Sequence, residues 1–272
     1  MNYLEFDFEP LDAHQSEQLI ALLNLQGFDG FEEEGDRLKA FIPESSFNAD
    51  SFAEVEDFFP TLIYTRTIIE PTNWNQKWEE GFAPVVVDDF VSIRANFHEP
   101  IPNVQYEIVI TPKMSFGTGH HATTFLMIQE MQSIDFYRKS VFDFGTGTGV
   151  LAILAEKMGA EKILAIDNDE WSIRNANENC VENECSKIIL TKQDTINANQ
   201  TFDIVLANIN LNVIIANLSG LYSICKDGAT ILFSGILHTD EEKLVEELSK
   251  IGFKHIATKR KNDWILIRAN KL

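Results

Sequence analysis

Residues 3–9 alternate, with Leu4, Phe6 and Phe8 set against Glu5, Asp7 and Glu9. A period of two predicts a half-buried strand. Leu19, Ile20, Leu22 and Leu23 then fall on one side of a helix, and Gly27 is placed to stop it. Two short strands are predicted around "GFEEEG" and "RLKAFIP", a second helix through "SFAEVEDFF" up to Pro60, and a strand at "TLIYTRTII". The order β-α-β-β-α-β is the split-βαβ, or ferredoxin-like, pattern.

Beyond a connector the pattern changes. Strand-like runs at "VVVDDFVSIRA" and "YEIVI" lead to a regular alternation: "VFDF", helix, "ILAID", helix, "IILT", loop, "FDIVLAN", helix, "ATILFSG", helix. Alternation of this kind predicts a doubly wound, mostly parallel sheet with helices on both faces. The closing "HIATKRKNDWILIRA" reads as two strands joined by a tight Lys-Asn-Asp turn, adding an antiparallel strand. The expected division is a small α+β domain over 1–65, a linker with a short helix over 66–84, and a Rossmann-like α/β domain over 85–272. In the linker, Trp74 and Trp78 are spaced i, i+4 and read as packing residues between domains.

Length and composition agree with two packed domains: 272 residues, 44% of them hydrophobic. The formal charge of −20 is unevenly spread. Residues 1–65 carry fifteen Asp or Glu against Arg37 and Lys39, a net of −13. Such a chain is a poor general binder of nucleic acid, which needs clustered Lys and Arg. Two readings of the acidic quarter stand level: a solvated surface that aids solubility, or a docking module for a basic macromolecule. The opening "MNYLEFDFEP" has neither the basic nor the apolar region of a signal peptide, and no apolar run approaches a membrane span. Cys180, Cys185 and Cys225 form no CxxC pair. Reduced thiols and a cytoplasmic location are expected.

The chemistry gathers around "VFDFGTGTGVLAILAEKMGA", where Gly145, Gly147 and Gly149 follow a strand and open a helix. Glycine permits a sharp turn and a close approach to the backbone, and the helix start directs its amides to the same place. Ligands of open α/β sheets bind at such strand ends. Twenty-two residues past Gly145 the next strand ends in Asp167, whose carboxylate can accept from both hydroxyls of a ribose. Asp169 is the better cap for the following helix. A nicotinamide enzyme would share these features, but it prefers GxGxxG, and here the third glycine comes one residue early. The turn and the closing hairpin together resemble the S-adenosylmethionine-dependent methyltransferases.

Two further segments refine the picture. Asn208 ends the strand "FDIVLANIN", where many amine-directed methyltransferases carry Asn-Pro-Pro-aromatic; here the run is Asn208-Ile209-Asn210-Leu211. Two roles are open to Asn208, positioning the substrate amine and contacting the cofactor. In "MSFGTGHHATTFLMIQEM", Gly117 and Gly119 form a loop that reads as a lid, and His120, His121, Thr123 and Thr124 open a helix. Thr124 is the candidate for bonding the cofactor. Adjacent histidines rarely point at one ion and no third ligand is evident, so no metal is expected.

In order, "FGTGHHATT", "DFGTGTGVLAI", "AIDND", "ANI" and "SGIL" resemble the bacterial methyltransferases that modify large-subunit ribosomal protein eleven. The likeness is close over roughly 85–270 and thinner before it. The resemblance implies S-adenosylmethionine as cofactor, held at Thr124, Gly145, Asp167 and Asn208, with Gly147 and Gly149 completing the turn. It implies transfer to lysine and N-terminal amines of a small basic ribosomal protein, with the N-terminal module docking that protein. No DNA and no membrane partner is expected. The alternative is a methyltransferase of the same fold acting on another protein nitrogen, on RNA or on a small molecule.

Overall fold

The computed structural model describes residues 2–69, 82–113, 115–196 and 200–272, so the linker tryptophans Trp74 and Trp78 lie outside the described residues. The chain divides into two compact units, Met1–Gly81 and Phe82–Leu272.

The first unit runs β1 (Tyr3–Phe8), α1 (Ala13–Leu25), β2 (Gly30–Glu34), β3 (Arg37–Pro43), α2 (Ala49–Phe58) and β4 (Tyr64–Ile69). The strands pair antiparallel in the order β2-β3-β1-β4, as the split-βαβ pattern predicts. Leu4, Phe6 and Phe8 point into a core shared with Leu19 and Leu23 of α1 and Phe52 and Val55 of α2. Asp12 starts α1 with a reciprocal capping box: its carboxylate accepts from the Gln15 amide at 2.8 Å, and the Gln15 side chain accepts from the Asp12 amide at 3.0 Å. The chain leaves α1 through Gly27 at φ +89°.

The second unit opens with a small sheet that the hydrophobic runs do not reveal as a separate layer. It holds β5 (Val85–Val87), β6 (Val91–Ala95) and β7 (Tyr106–Ile110). β5 and β6 pair antiparallel, β6 and β7 parallel. Then come α3 (Ala122–Met131), β8 (Ser140–Phe144), α4 (Val150–Lys157), β9 (Lys162–Asp167), α5 (Glu170–Glu182), β10 (Ile188–Lys192), β11 (Phe202–Asn208), α6 (Leu211–Ile224), β12 (Cys225–Leu237), α7 (Glu241–Ile251), β13 (Phe253–Lys261) and β14 (Trp264–Lys271). The seven strands from β8 on form one sheet, ordered β10-β9-β8-β11-β12-β14-β13, in which β14 runs antiparallel to both neighbours.

Both faces of this sheet are buried, which is why its strands read as nearly continuous apolar runs. Val141, Ile163 and Leu206 face one layer, with Met127 of α3 and Ile153 and Leu154 of α4. Phe142, Phe144 and Phe233 face the other, with Ile214 and Leu218 of α6 and Leu244 and Leu248 of α7. Strand order reverses between β8 and β11, so the crevice at their carboxyl ends is the expected ligand site.

The open edge of β7 is closed by side chains. Asn183 accepts from the Val109 amide at 3.0 Å and donates to the Val109 carbonyl at 2.6 Å. Asn179 accepts from the Thr111 amide at 2.8 Å, and Asn175 donates to the Thr111 carbonyl at 3.1 Å. Asn175 and Asn179 of α5 and its C-cap residue Asn183, spaced i, i+4 and i+8, thus stand in for a neighbouring strand, satisfying backbone groups that could not otherwise be buried.

Candidate active site

The three glycines of the turn after β8 all take positive φ, +77° at Gly145, +56° at Gly147 and +81° at Gly149. Gly149 caps α4. The close approaches come from the protein itself. A Cβ on Gly145 would lie 2.3 Å from Ile209 Cγ2, and one on Gly147 would lie 2.2 Å from the Phe116 carbonyl oxygen. Gly145 and Thr146 both donate their amides to the Ile166 carbonyl, at 2.9 and 3.0 Å, tying the turn to the end of β9.

A cavity of about 500 Å³ opens at the carboxyl ends of β8, β9, β11 and β12, a volume within the usual span of small-molecule sites. Gly145 and Gly147 form its floor. Asp167, Asn168 and Asp169 line it beyond β9, Gln193 and Asp194 beyond β10, and Asn208, Ile209 and Asn210 beyond β11. Gly235 in β12 and Trp264 at the start of β14 also line it, as do Phe116, His121 and Thr123.

Asp167 holds the turn in shape. Its Oδ2 accepts from the Gly147 amide at 2.9 Å and its Oδ1 from the Asp169 amide at 3.0 Å. A carboxylate offers about four acceptor positions, so each oxygen keeps capacity for a hydroxyl. Asp169 caps α5, and the Ser172 and Trp171 amides it accepts from hold its carboxyl below the usual range. Under the turn, Asp143 is fully buried and accepts from the Thr146 hydroxyl at 2.6 Å. Burial pushes its carboxyl up to about 7, the Thr146 bond opposes the shift, and Asp167 adds to it.

Asn208 is buried at the cavity wall. Its Nδ2 lies 3.4 Å from the Thr124 hydroxyl, while its Oδ1 has no hydrogen-bond partner. An unpaired buried carbonyl costs about 1–3 kcal/mol, so this atom is placed to receive a donor. Four of the six residues singled out from sequence, Gly145, Gly147, Asp167 and Asn208, therefore share one cavity. Thr124 and Gly149 do not line it. Thr124 is buried behind Asn208, and a Cβ on Gly149 would meet Ala176 of α5 at 3.2 Å. Thr123 is on the wall instead, its hydroxyl 2.7 Å from His121 Nδ1.

The two histidines part company. His121 lies between Phe116 and Trp264, ring centroids 5.3 and 4.7 Å away. His120 turns away, its Nε2 2.8 Å from the Ala83 carbonyl and its ring edge-on to Phe82 at 4.8 Å. Among the described residues no group of three or more His, Cys, Asp or Glu is arranged to hold a metal ion. The loop read as a lid is bonded to the turn: the Thr148 amide donates to the Phe116 carbonyl at 2.9 Å. Phe116 and Gly235 belong to the recognised motifs "FGTGHHATT" and "SGIL", yet nothing in their own pattern assigns them to the cavity. Trp264 carries no motif and arrives there because β14 pairs with β12, opposite Leu237.

Comparison with known proteins covers nearly the whole chain in sequence and 70% of it in structure. The family model described as ribosomal protein L11 methyltransferase matches residues 12–272. A protein named ribosomal protein L11 methyltransferase from Phocaeicola vulgatus is 34% identical over 277 residues, spanning 98% of this chain and 99% of its own. Another of that name, from Chlorobaculum tepidum, is 37% identical over 276 residues, spanning 97% and 95%. The crystal structure of ribosomal protein L11 methylase from Lactobacillus delbrueckii subsp. bulgaricus aligns with a TM-score of 0.66 and 27% identity, over 70% of this chain and all of that one. The chain belongs to the ribosomal protein L11 methyltransferase family.

Proposed function

We propose that this protein transfers methyl groups from S-adenosylmethionine to lysine side chains and the N-terminal amine of ribosomal protein L11, in the cytoplasm. The observation that carries the reading is the convergence, in a chain of this family, of the glycine turn, Asp167 and the unpaired Asn208 Oδ1 on one cavity.

The residues present fit the cofactor. Asp167 has acceptor capacity for ribose hydroxyls, Gly145 and Gly147 line the cavity without side chains, and Asn208 Oδ1 seeks a donor. When bound, S-adenosylmethionine supplies a methyl group already activated on a sulfonium. The protein's share is to position the nucleophile and keep water out. Asn208 is assigned to orientation at the strand end, toward either the cofactor or the incoming amine. Phe116, His121 and Trp264 form an aromatic wall suited to a cationic or methylated amine. The attacking amine must be neutral, against reference pKa values near 10.4 for lysine and near 8 for an N-terminus. No side chain of the cavity is assigned as the base.

The acidic first unit is assigned to docking. Thirteen of its fifteen acidic residues up to Tyr64, all but Glu5 and Asp7, are exposed, a surface that suits a basic protein.

Incubation of the protein with purified L11 and S-adenosylmethionine labelled in the methyl group tests the reading. Label is expected on L11, and peptide mapping should place it on lysine and N-terminal nitrogens. Asp167→Ala should weaken binding of S-adenosylhomocysteine by about 10- to 100-fold, since bonds to a charged acceptor contribute about 1.5–3 kcal/mol each. Label that passes over L11 and enters RNA or another protein would replace this substrate assignment.

A further inference from the structure

Thr148 spends every polar group it has on holding other chain segments. Its amide donates to the Phe116 carbonyl at 2.9 Å. Its hydroxyl donates to the Gly117 carbonyl at 2.7 Å. Its own carbonyl accepts from Asn179 Nδ2 at 2.8 Å, and Asn179 Oδ1 accepts from the Thr111 amide at 2.8 Å. Thr148 and Asn179 are both fully buried, and neither lines the cavity. The segment entering the site is therefore gripped twice, at Thr111 and at Phe116–Gly117. Phe116, by contrast, is 53% exposed. Its side chain stands on the cavity wall outside the core, with the His121 ring as its aromatic neighbour, so its place depends in large part on its backbone.

We propose that Thr148 is a positioning residue of the methyl-transfer site: its hydroxyl latches the 115–119 loop onto the glycine turn, so that Phe116 forms one wall of the cofactor cavity. On this account Gly147 is glycine for the loop as much as for the ligand, because a Cβ there would lie 2.2 Å from the Phe116 carbonyl oxygen. The proposal rests on the reading of the cavity as the cofactor site, but the latch is a property of the cofactor-free protein and is measurable there.

Thr148→Val keeps the shape and the backbone bonds and removes the hydroxyl; Thr148→Ser restores it. In the Val variant, deuterium uptake at residues 115–119 and at the residue-148 amide should rise, and the affinity for S-adenosylhomocysteine should fall about 3- to 10-fold, the effect of one hydrogen bond. The Ser variant should match wild type in both. In a Phe116→Ala background, Thr148→Val should cause no further loss of affinity, because the loss acts through Phe116. Gly117→Ala approaches the same contact from the loop, where its Cβ would meet the Thr148 hydroxyl at 2.7 Å; it should act in the same direction and serves if the Val variant does not fold. A Val variant, or failing that a Gly117→Ala variant, with unchanged uptake and affinity would overturn the latch, as would additive losses with Phe116→Ala. Failure of the wild-type protein to bind S-adenosylhomocysteine would count against the cofactor reading and leave the exchange result to judge the latch.

Discussion

At Asp143 the chain buries a carboxyl beneath the glycine turn, and the cost appears as a pH dependence. In the fold this group gives up its proton only at about 7; in the unfolded chain it does so near 3.9. Between those values the folded state binds more protons than the unfolded one, so the contribution of this group to stability falls as pH rises and is lost above about 7. Asp143→Asn keeps an acceptor for the Thr146 hydroxyl and removes the titration. Relative to wild type, the variant should gain about 2–3 kcal/mol of stability between about pH 5 and about pH 8, at 1.36 kcal/mol per pKa unit. Denaturant unfolding of both proteins at the two pH values measures this, and parallel profiles would show that Asp143 is ionised in the fold throughout. That Gly145, Gly147, Asp167 and Asn208 gather at one cavity was legible in the sequence because each lies at a strand end of an alternating βα pattern, and strand ends are where such sheets have their crevice. The environment that shifts Asp143 was not legible, since "VFDF" gives no sign that its aspartate is sealed under a helix start. Nor was the position of Thr124, one residue off the wall: the helix phase that turns Thr123 to the cavity depends on the cap at His121.

Single elements show the same division. The order β2-β3-β1-β4 of the small sheet and the antiparallel β14 of the large one follow from alternation, turn residues and connection lengths, all of which are local. The separate sheet β5-β6-β7 does not, because hydrophobic runs announce strands but not partners. Its edge is completed by polar side chains on α5, a helix whose asparagines would otherwise pass for surface residues. That arrangement carries a cost if broken. Asn179→Ala leaves the Thr111 amide and the Thr148 carbonyl without their partner in a buried setting. Each unsatisfied group costs about 1–3 kcal/mol, so the variant should lose about 2–6 kcal/mol by denaturant unfolding. A loss under about 0.5 kcal/mol, the scale of neutral surface changes, would mean that water replaces the amide and that the sheet edge is open.

For the whole molecule, charge decides more than packing does. Residues 1–65 place thirteen of their fifteen carboxylates on the surface, and their two basic residues are already engaged: Arg37 with Asp7 and Glu9, and Lys39 with Glu5. The remaining acidic groups have no cation within that stretch to neutralise them. This excess was countable in the sequence, but its exposure was not, since a carboxylate paired inside the fold and one facing water read alike. A surface of this kind repels itself and attracts a basic partner, and it acts at long range. Its effect belongs to encounter, so association between the protein and L11 should slow about tenfold or more as salt rises from roughly 0.01 to 0.15 M, where the screening length shrinks from about 30 to about 8 Å. Dissociation should change much less, because contacts at close range are screened less. Affinity for S-adenosylhomocysteine should barely move, since the groups assigned to it line a cavity rather than an open face. Stopped-flow association at several salt concentrations, beside calorimetry of the cofactor product, separates these terms. An association rate indifferent to salt would leave the acidic surface as a solubility feature and require recognition of L11 to come from apolar contact. Exposed Phe58, Ile63, Ile68 and Ile69 of the same unit would then be the first residues to replace.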